Sequence, residues 1–342
     1  MGITYNQIAE LCGVSRATVD RVIHNRGKVN PDVAQRILEV AKQNNFSPSL
    51  VGRALSQAGN PIKIGVLVHQ TRLEIYQKII QGVRAAQADI RAMGGEIILR
   101  EQETLDAQEQ IRILDELVDE GVRGIAISPA QDLCLRDRLS QLRQSGIPVV
   151  TFNTDLFGAE RLCHVGVDNV LGGRAGAYIM DLLLRGKGGK VLIISGYLTQ
   201  QSHYQRVDGF VSECGNCFQS IEVVALQLNA DDDRLAYDIT RKAIKEIPGL
   251  AGIFMVSSGQ AGVCRAIEDS GMAGKIQLII YDLIETTKEY LRKGVIQIVI
   301  DQNAFEQGSL PPKILFDYLF SEKEPPGSNI IGKCEIITPY NV

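Results

Sequence analysis

From Pro61 onward the chain alternates short, β-branched apolar runs with amphipathic stretches of helical length, and this alternation restricts its fold more than any other feature. The runs are Ile62–Val68, Glu96–Arg100, Gly124–Ser128, Pro148–Phe152, His164–Val167, Lys190–Ser195, Ile221–Leu226, Gly252–Val256, Ile276–Tyr281 and Ile296–Ile300. Between most of them lie amphipathic stretches such as Tyr76–Met93, Ala107–Glu120 and Ala230–Glu246. Strands that are apolar along their length are buried on both faces, so helices must cover parallel sheets on either side. There are too many strands for one small sheet, and two α/β lobes are expected.

In open parallel sheets ligands collect outside the carboxyl ends of the strands. At those ends stand His69–Tyr76, Asn153-Thr-Asp155, Gly196–Arg206, Ser257-Ser-Gly-Gln260, Asp282 and Asp301-Gln-Asn303. Amides, carboxylates and one arginine, with aromatics nearby, form a hydrogen-bonding cage suited to a polyhydroxylated solute. The same residues suit plainer roles: Asn153 and Asp155 as turn or cap residues, Arg206 as a surface ion-pair partner, Tyr76 as core. His69, His164 and His203 lack metal-ligand spacing, so no metal is expected. Gly172-Gly-Arg-Ala-Gly176 is neither a dinucleotide nor a P-loop fingerprint, and Tyr290-Leu-Arg-Lys293 has no glycine-rich cofactor loop to serve. With no convergent nucleophile, base or metal set, neither catalytic residues nor a cofactor are expected.

The N-terminal residues follow a different period. Thr4 and Gln7 form a capping box, after which Ile8, Leu11 and Cys12 recur on one face until Gly13 stops the helix. Ser15 can cap a second helix with Val19, Val22 and Ile23 inward and Arg16, Ala17, Asp20 and Arg21 outward. A helix with cationic and small side chains near its N-terminus suits the major groove of DNA. After a basic loop, His24–Lys28, Asn30 can cap and Pro31 can start a third helix with Val33, Ile37, Leu38 and Ala41 apolar. An ordinary helix pair of an α/β enzyme is the plainer alternative.

Charge separates the two parts. The net charge is −4, but residues 1–60 carry +3 and the remainder −7. Such asymmetry fits a chain that meets a polyanion at one end only. The seven cysteines (Cys12, Cys134, Cys163, Cys214, Cys217, Cys264 and Cys334) are odd in number and scattered through apolar segments, as in a reducing cytoplasm. Cys214-Gly-Asn-Cys217 lacks a second pair at zinc spacing, so these cysteines are expected to be small, buried or half-buried residues without bridges. No apolar signal region opens the sequence and no apolar run reaches membrane-spanning length, which points to the cytoplasm and away from a membrane.

Residues 3–55 resemble the head and hinge of the lactose-repressor (LacI/GalR) family of bacterial transcription regulators, through Ile8-Ala9, Gly13-Val14-Ser15, Ala17-Thr18-Val19, Arg21-Val22, Phe46-Ser-Pro48 and Gly52-Arg-Ala-Leu55. The resemblance implies that Arg16 and Ala17 read bases, that Arg21 is an arginine contact and that Leu55 wedges into the minor groove. Thr4, Ser15, Thr18, Asn25 and Arg26 complete the implied DNA-contacting set. Asp20 departs from the family's usual serine, and Gly52 weakens the hinge helix by roughly 1 kcal/mol relative to alanine, so a hinge disordered off DNA is expected.

Residues 61–342 resemble the periplasmic-sugar-binding-protein-like core of the same family, through Pro148–Asp155, Val165–Asn169 with Gly172-Gly-Arg174, Arg206-x-x-Gly-Phe210 and Ile300–Gly308. The implied fold is a small all-α helix-turn-helix head plus an α/β effector core of two Rossmann-like lobes, of the periplasmic binding protein type I kind. Residues 1–46 would be the head, 47–60 the hinge helix and linker, and 61–342 the effector domain. The N-lobe would hold about 61–167 and 303–330, the C-lobe about 168–302 and 331–342, with crossings near Val167-Asp168, Gln302-Asn303 and Ile330–Lys333. The implied effector contacts are Tyr76, Asn153, Asp155, Arg206, Asp282 and Gln302. Many relatives carry an Asn-Asp pair where this chain has Ser257-Ser258-Gly259, which removes a hydroxyl acceptor and leaves acidic or modified sugars open.

The implied protein is a homodimeric repressor of double-stranded operator DNA, controlled by a sugar, sugar derivative, polyol or cyclitol. Induction and corepression are both compatible with that build. A transport solute-binding protein would share the core but needs export, and an α/β enzyme would need a catalytic set.

Overall fold

The computed structural model describes residues 3–23, 29–44 and 61–342. They fall into an N-terminal helical unit and a large α/β unit.

The helical unit has α1 (Tyr5–Cys12), α2 (Arg16–Ile23) and α3 (Pro31–Gln43). Thr4 forms the expected capping box with Gln7, and Gly13 ends α1 in the left-handed region at φ 62°. Ser15 Oγ accepts from Thr18 N at 3.1 Å, and Asn30 Oδ1 accepts from Asp32 N at 2.9 Å. Ile8, Ala9, Cys12, Val19, Ile37 and Ala41 make the core. Leu11 and Leu38 instead face solvent, at 62% and 52% exposure. Leu11 stands one residue before buried Cys12 and Leu38 one after buried Ile37, and Ala9 and Val40 complete the inward faces. Arg36 donates to the Cys12 carbonyl, tying α3 to the end of α1.

The α/β unit begins with β1 (Ile62–Val68), α4 (Glu74–Ala92), β2 (Gly95–Glu101), α5 (Ala107–Asp119), β3 (Gly124–Ile127), α6 (Leu133–Gln144), β4 (Val149–Phe152) and β5 (Cys163–Val167). It continues with α7 (Asn169–Leu183), β6 (Gly189–Ser195), α8 (Gln201–Cys217), β7 (Ile221–Leu228), α9 (Asp233–Glu246), β8 (Leu250–Met255), α10 (Gln260–Asp269), β9 (Gln277–Tyr281), α11 (Glu285–Arg292) and β10 (Ile298–Asp301). Then come α12 (Ala304–Ser321), β11 (Asn329–Gly332) and β12 (Glu335–Ile337). One sheet has the order β11-β5-β4-β3-β1-β2 and the other β12-β10-β9-β8-β6-β7. The chain therefore passes from the first sheet to the second after Val167, returns after Asp301 to run through α12 and β11, and passes over again after Gly332.

Strand burial follows the apolar runs: every residue of β3, β4 and β5 is buried. The final pair is what the apolar-run reading leaves out, because β11 is mostly exposed and β12 has only Ile337 buried. β12 also runs antiparallel to β10, so the second sheet is not wholly parallel. The glycines of Gly172–Gly176 serve packing. A Cβ on Gly173 would stand 2.2 Å from the Arg206 carbonyl oxygen, so only glycine lets α7 approach α8 this closely.

Candidate functional site

The strand ends of the two sheets face one another across a cleft. β1 delivers Gln70, β4 delivers Asn153, β8 leads into Ser257 and Ser258, β9 delivers Asp282 and β10 delivers Gln302. Helices α4 and α8 add Tyr76 and Arg206. Five of the six implied effector contacts, Tyr76, Asn153, Arg206, Asp282 and Gln302, thus line one cavity.

Gln302 ties them together. Its amide nitrogen donates to Asp282 Oδ1 at 2.6 Å, and its side-chain oxygen accepts from Arg206 Nη2 at 3.0 Å and Asn153 Nδ2 at 3.3 Å. Arg206 is only 2% exposed, far from the surface ion-pair role. Its Nε donates to Asn169 Oδ1 at 2.8 Å, its Nη1 to the Val256 carbonyl at 2.9 Å, and its guanidinium lies 4.1 Å from the Tyr281 ring centre. A buried cation needs this many partners, because its desolvation is otherwise unmatched. Tyr76 OH reaches Asn153 Oδ1 at 3.5 Å, and the Tyr76 ring packs against His69 at 4.7 Å between centres.

The backbone is unusual here. Among the described residues eight non-glycines have φ in the left-handed region, and Gln70, Asn153, Asp231 and Asp282 of the cleft are four of them. Such residues persist where surrounding structure over-determines them, a hallmark of pre-organised sites.

Burial sets the electrostatics. It lowers His69 and His203 to about 3, the nearby Arg206 adding to the effect at His203, so both rings are neutral. Burial raises Asp282 above the usual carboxylate range, against the pull of Arg206.

Asp155, the sixth implied contact, does not join this group. It lies in an adjoining cavity of about 340 Å³ with Arg161, His164 and Asp168, a cavity that Asn153 also lines. Its Oδ1 accepts from Thr151 Oγ1 at 2.7 Å and from Arg161 Nε at 2.9 Å, and Arg161 in turn donates to the Ser328 carbonyl and to Asn329 Oδ1. Burial would raise this carboxyl, but the hydrogen bonds from Arg161 and Thr151 bring it below the ordinary value. Asp155 therefore fastens the end of β4 to the segment entering β11.

The cleft also holds residues outside the implied set. Gln307 from α12 donates to the Gln302 carbonyl at 2.7 Å and accepts from Asn153 Nδ2 at 3.3 Å. Asp231, in the turn after β7, lines the same cavity beside Ser257 and Ser258 and accepts from Ser258 N at 3.0 Å. The helix expected from Ala230 begins at Asp233, and Ala230 and Asp231 are free of it. Reading β7 two residues longer would have put Asp231 at a strand end, where the ligand rule looks.

In the head, Arg16, Ala17 and Arg21 are exposed on α2, while Thr18 and Asp20 are half-buried. Thr4 and Ser15 are exposed at the first ends of α1 and α2. Asn25, Arg26, Gly52 and Leu55 lie outside the described residues. All seven cysteines are unbridged; Cys134 and Cys217 are exposed rather than tucked in. Among the described residues no cluster of metal-ligating side chains occurs, and no helix is long and apolar enough to cross a membrane.

Residues 64–323 match the periplasmic binding protein domain model, and residues 4–49 match that of bacterial regulatory proteins, lacI family. The D-allose-binding periplasmic protein of Escherichia coli (strain K12) is 27% identical over 221 residues, spanning 62% of this chain and 70% of that protein. The HTH-type transcriptional regulator MalR of Clostridium butyricum is 22% identical over 296 residues, 83% of this chain and 84% of its own. Among solved structures, a sugar-binding protein of a sugar ABC transporter from Bacillus halodurans aligns with a TM-score of 0.74 at 25% identity, covering 82% of this chain and 98% of that one. The matching models describe binding and regulatory domains. The chain belongs to the periplasmic binding protein domain family and carries a lacI-family DNA-binding head, the build of a ligand-responsive transcriptional regulator.

Proposed function

We propose that this protein is a cytoplasmic, homodimeric repressor whose operator affinity is set by a small polyhydroxylated effector, a sugar, sugar derivative, polyol or cyclitol, held between the two lobes. The observation that carries the reading is the convergence of Tyr76, Asn153, Arg206, Asp282 and Gln302 on one cleft, in a chain whose α2 exposes Arg16, Ala17 and Arg21. Donor-bearing Arg206, Asn153 and Gln302 and the acceptors Asp231 and Asp282 line the cleft together, as hydroxyl groups require. The binding of sugars by relatives such as the D-allose-binding protein supports the same ligand class.

A two-fold dimer presents two α2 helices to a near-palindromic site. The effector stabilises the closed lobes, and closure alters the spacing at which the two heads meet DNA. Its leverage is its differential affinity for the open and closed states, about 1–3 kcal/mol in typical systems.

The test begins with operator fragments enriched from randomised DNA by the full-length protein. Compounds that raise the melting temperature are then added to a DNA-binding titration. At least one should change operator affinity about 5- to 150-fold, and Arg206→Ala should lose that response while binding unliganded operator normally. If every compound that raises the melting temperature leaves operator affinity unchanged, the coupling is absent and the proposal fails.

A further inference from the structure

Asp231, Asp232 and Asp233 follow one another, yet their carboxylates do different things. Asp232 caps α9 by accepting from Leu235 N at 2.8 Å, and Asp233 accepts from Gly262 N at 3.1 Å. Both are exposed carboxylates that serve backbone amides and do not line the cleft cavity. Asp231 instead turns into the interlobe cleft from a left-handed backbone, φ 59°, with Ala230 before it at 51°. It accepts one short bond, from Ser258 N to Oδ1 at 3.0 Å; its Oδ2 meets only the amide of Gln70, across the cleft at 3.5 Å. A carboxylate offers about four acceptor positions, so Asp231 keeps unused capacity facing the cavity.

The neighbourhood is shaped for it. A Cβ on Gly196 would stand 2.3 Å from Asp231 Oδ1, so glycine leaves the room that the carboxylate fills. The loop after β8 is braced from within: Ser257 Oγ donates to Asn229 Oδ1 at 3.2 Å, and Asn229 Nδ2 donates to the Ser258 carbonyl at 2.7 Å. The loop brings hydroxyls to the cavity but no carboxylate, and Asp231 supplies one beside it.

The charges lining the cleft are two carboxylates, Asp231 and Asp282, and one guanidinium, Arg206. Arg206 is already committed to Asn169, Val256 and Gln302. Among these charged groups the free capacity is therefore mostly acceptor capacity on the carboxylates. A ligand that brings hydroxyl donors is complementary to it, whereas a carboxylate or phosphate on the ligand would meet two like charges in a poorly solvated space.

We infer that Asp231 contacts the effector directly, accepts a hydrogen bond from one of its hydroxyls, and makes the cleft select uncharged sugars and polyols over their acid and phosphate derivatives. The inference rests on the effector reading above and narrows its ligand class. Burial pushes Asp231 up to about 6, with Asp282 adding to the effect against Ser258, Gln70 and Arg206.

The experiment is isothermal titration of full-length protein with matched pairs: D-ribose and ribose 5-phosphate, D-galactose and D-galacturonate, myo-inositol and inositol 1-phosphate, with D-allose added. The uncharged member of a binding pair should be tighter by about 10- to 100-fold, because the anionic member brings a like charge to two carboxylates. Asp231→Asn, nearly isosteric, should weaken the uncharged ligand by a similar factor and narrow its gap to the anionic partner, with DNA binding retained as the check on folding. An unchanged Kd in Asp231→Asn, or a wild-type preference for the anionic member, overturns the inference while the effector reading stands. Failure of every compound to bind overturns both.

Discussion

Gln302 donates to Asp282 at 2.6 Å while its other amide atom accepts from Arg206 at 3.0 Å, so one neutral side chain separates and satisfies two buried charges. It does so at the point where the chain leaves the second sheet for the first. Replacement by leucine would leave both charges short of a partner. Gln302→Leu is expected to lower stability by about 2–4 kcal/mol, since an unsatisfied buried charge costs more than a neutral group. Urea denaturation gives the direct check: a midpoint within error of wild type would show that the network is not structural.

Gly173 sets the position of Arg206 from the helix behind it. Gly173→Ala would force the Arg206 backbone outward, because the new Cβ would stand 2.2 Å from its carbonyl oxygen. A cost of about 1–3 kcal/mol is expected from overpacking, together with weaker effector binding and unchanged affinity of the unliganded protein for DNA. Paired thermal melts and effector titrations measure the two effects.

Two kinds of buried group pull the pH dependence of stability in opposite directions. His69 and His203, lowered to about 3 in the fold from 6.5, bind fewer protons folded than unfolded between those values, so stability falls as pH drops below 6.5. Asp231, raised from 3.8 to about 6, binds more protons folded, so its contribution falls as pH rises through that window. From pH 7 to pH 5 the histidines together cost up to about 4 kcal/mol and Asp231 returns about 1, at roughly 1.4 kcal/mol per pH unit. The ligand-free protein should therefore be less stable at pH 5. Asp231→Asn should raise the melting temperature at pH 7 and leave it unchanged at pH 4, a difference that melts at the two pH values read directly.

On the head, Arg16 is exposed at the first turn of α2. Arg16→Ala is expected to cost about 1–3 kcal/mol of specific binding and to relax the preference at one base pair of each half-site. A competition titration over single-base variants of the enriched operator checks it. A uniform loss on all variants would instead make Arg16 a phosphate contact.

The strands of the α/β unit were legible because burial on both faces writes itself into consecutive residues. Ile62–Val68, broken only by Lys63, and Val149–Phe152, broken only by Thr151, stand out as apolar whatever lies beside them. The caps at Thr4, Ser15 and Asn30 were legible for the same reason, since a cap and the amide it serves lie within three residues. β11 and β12 carry too little burial to stand out in the chain; their pairing with β5 and β10 places them.

The site divides along the same line. Sequence alone placed Asn153, Arg206, Asp282 and Gln302 near strand ends, because strand ends follow from strands. Only the tertiary structure decided which of these side chains meet. Asp155 turns to Arg161 and away from the main cleft, while Asp231 enters the cleft through a left-handed turn, a space left by Gly196 and a donor on Ser258. The reason is range and direction: hydrophobic periodicity and caps are set by neighbours within one element, whereas Asp155 is held by Arg161 from the next loop, and Asp231 by Gly196 and Ser258, which stand about thirty residues away and which only folding brings beside it.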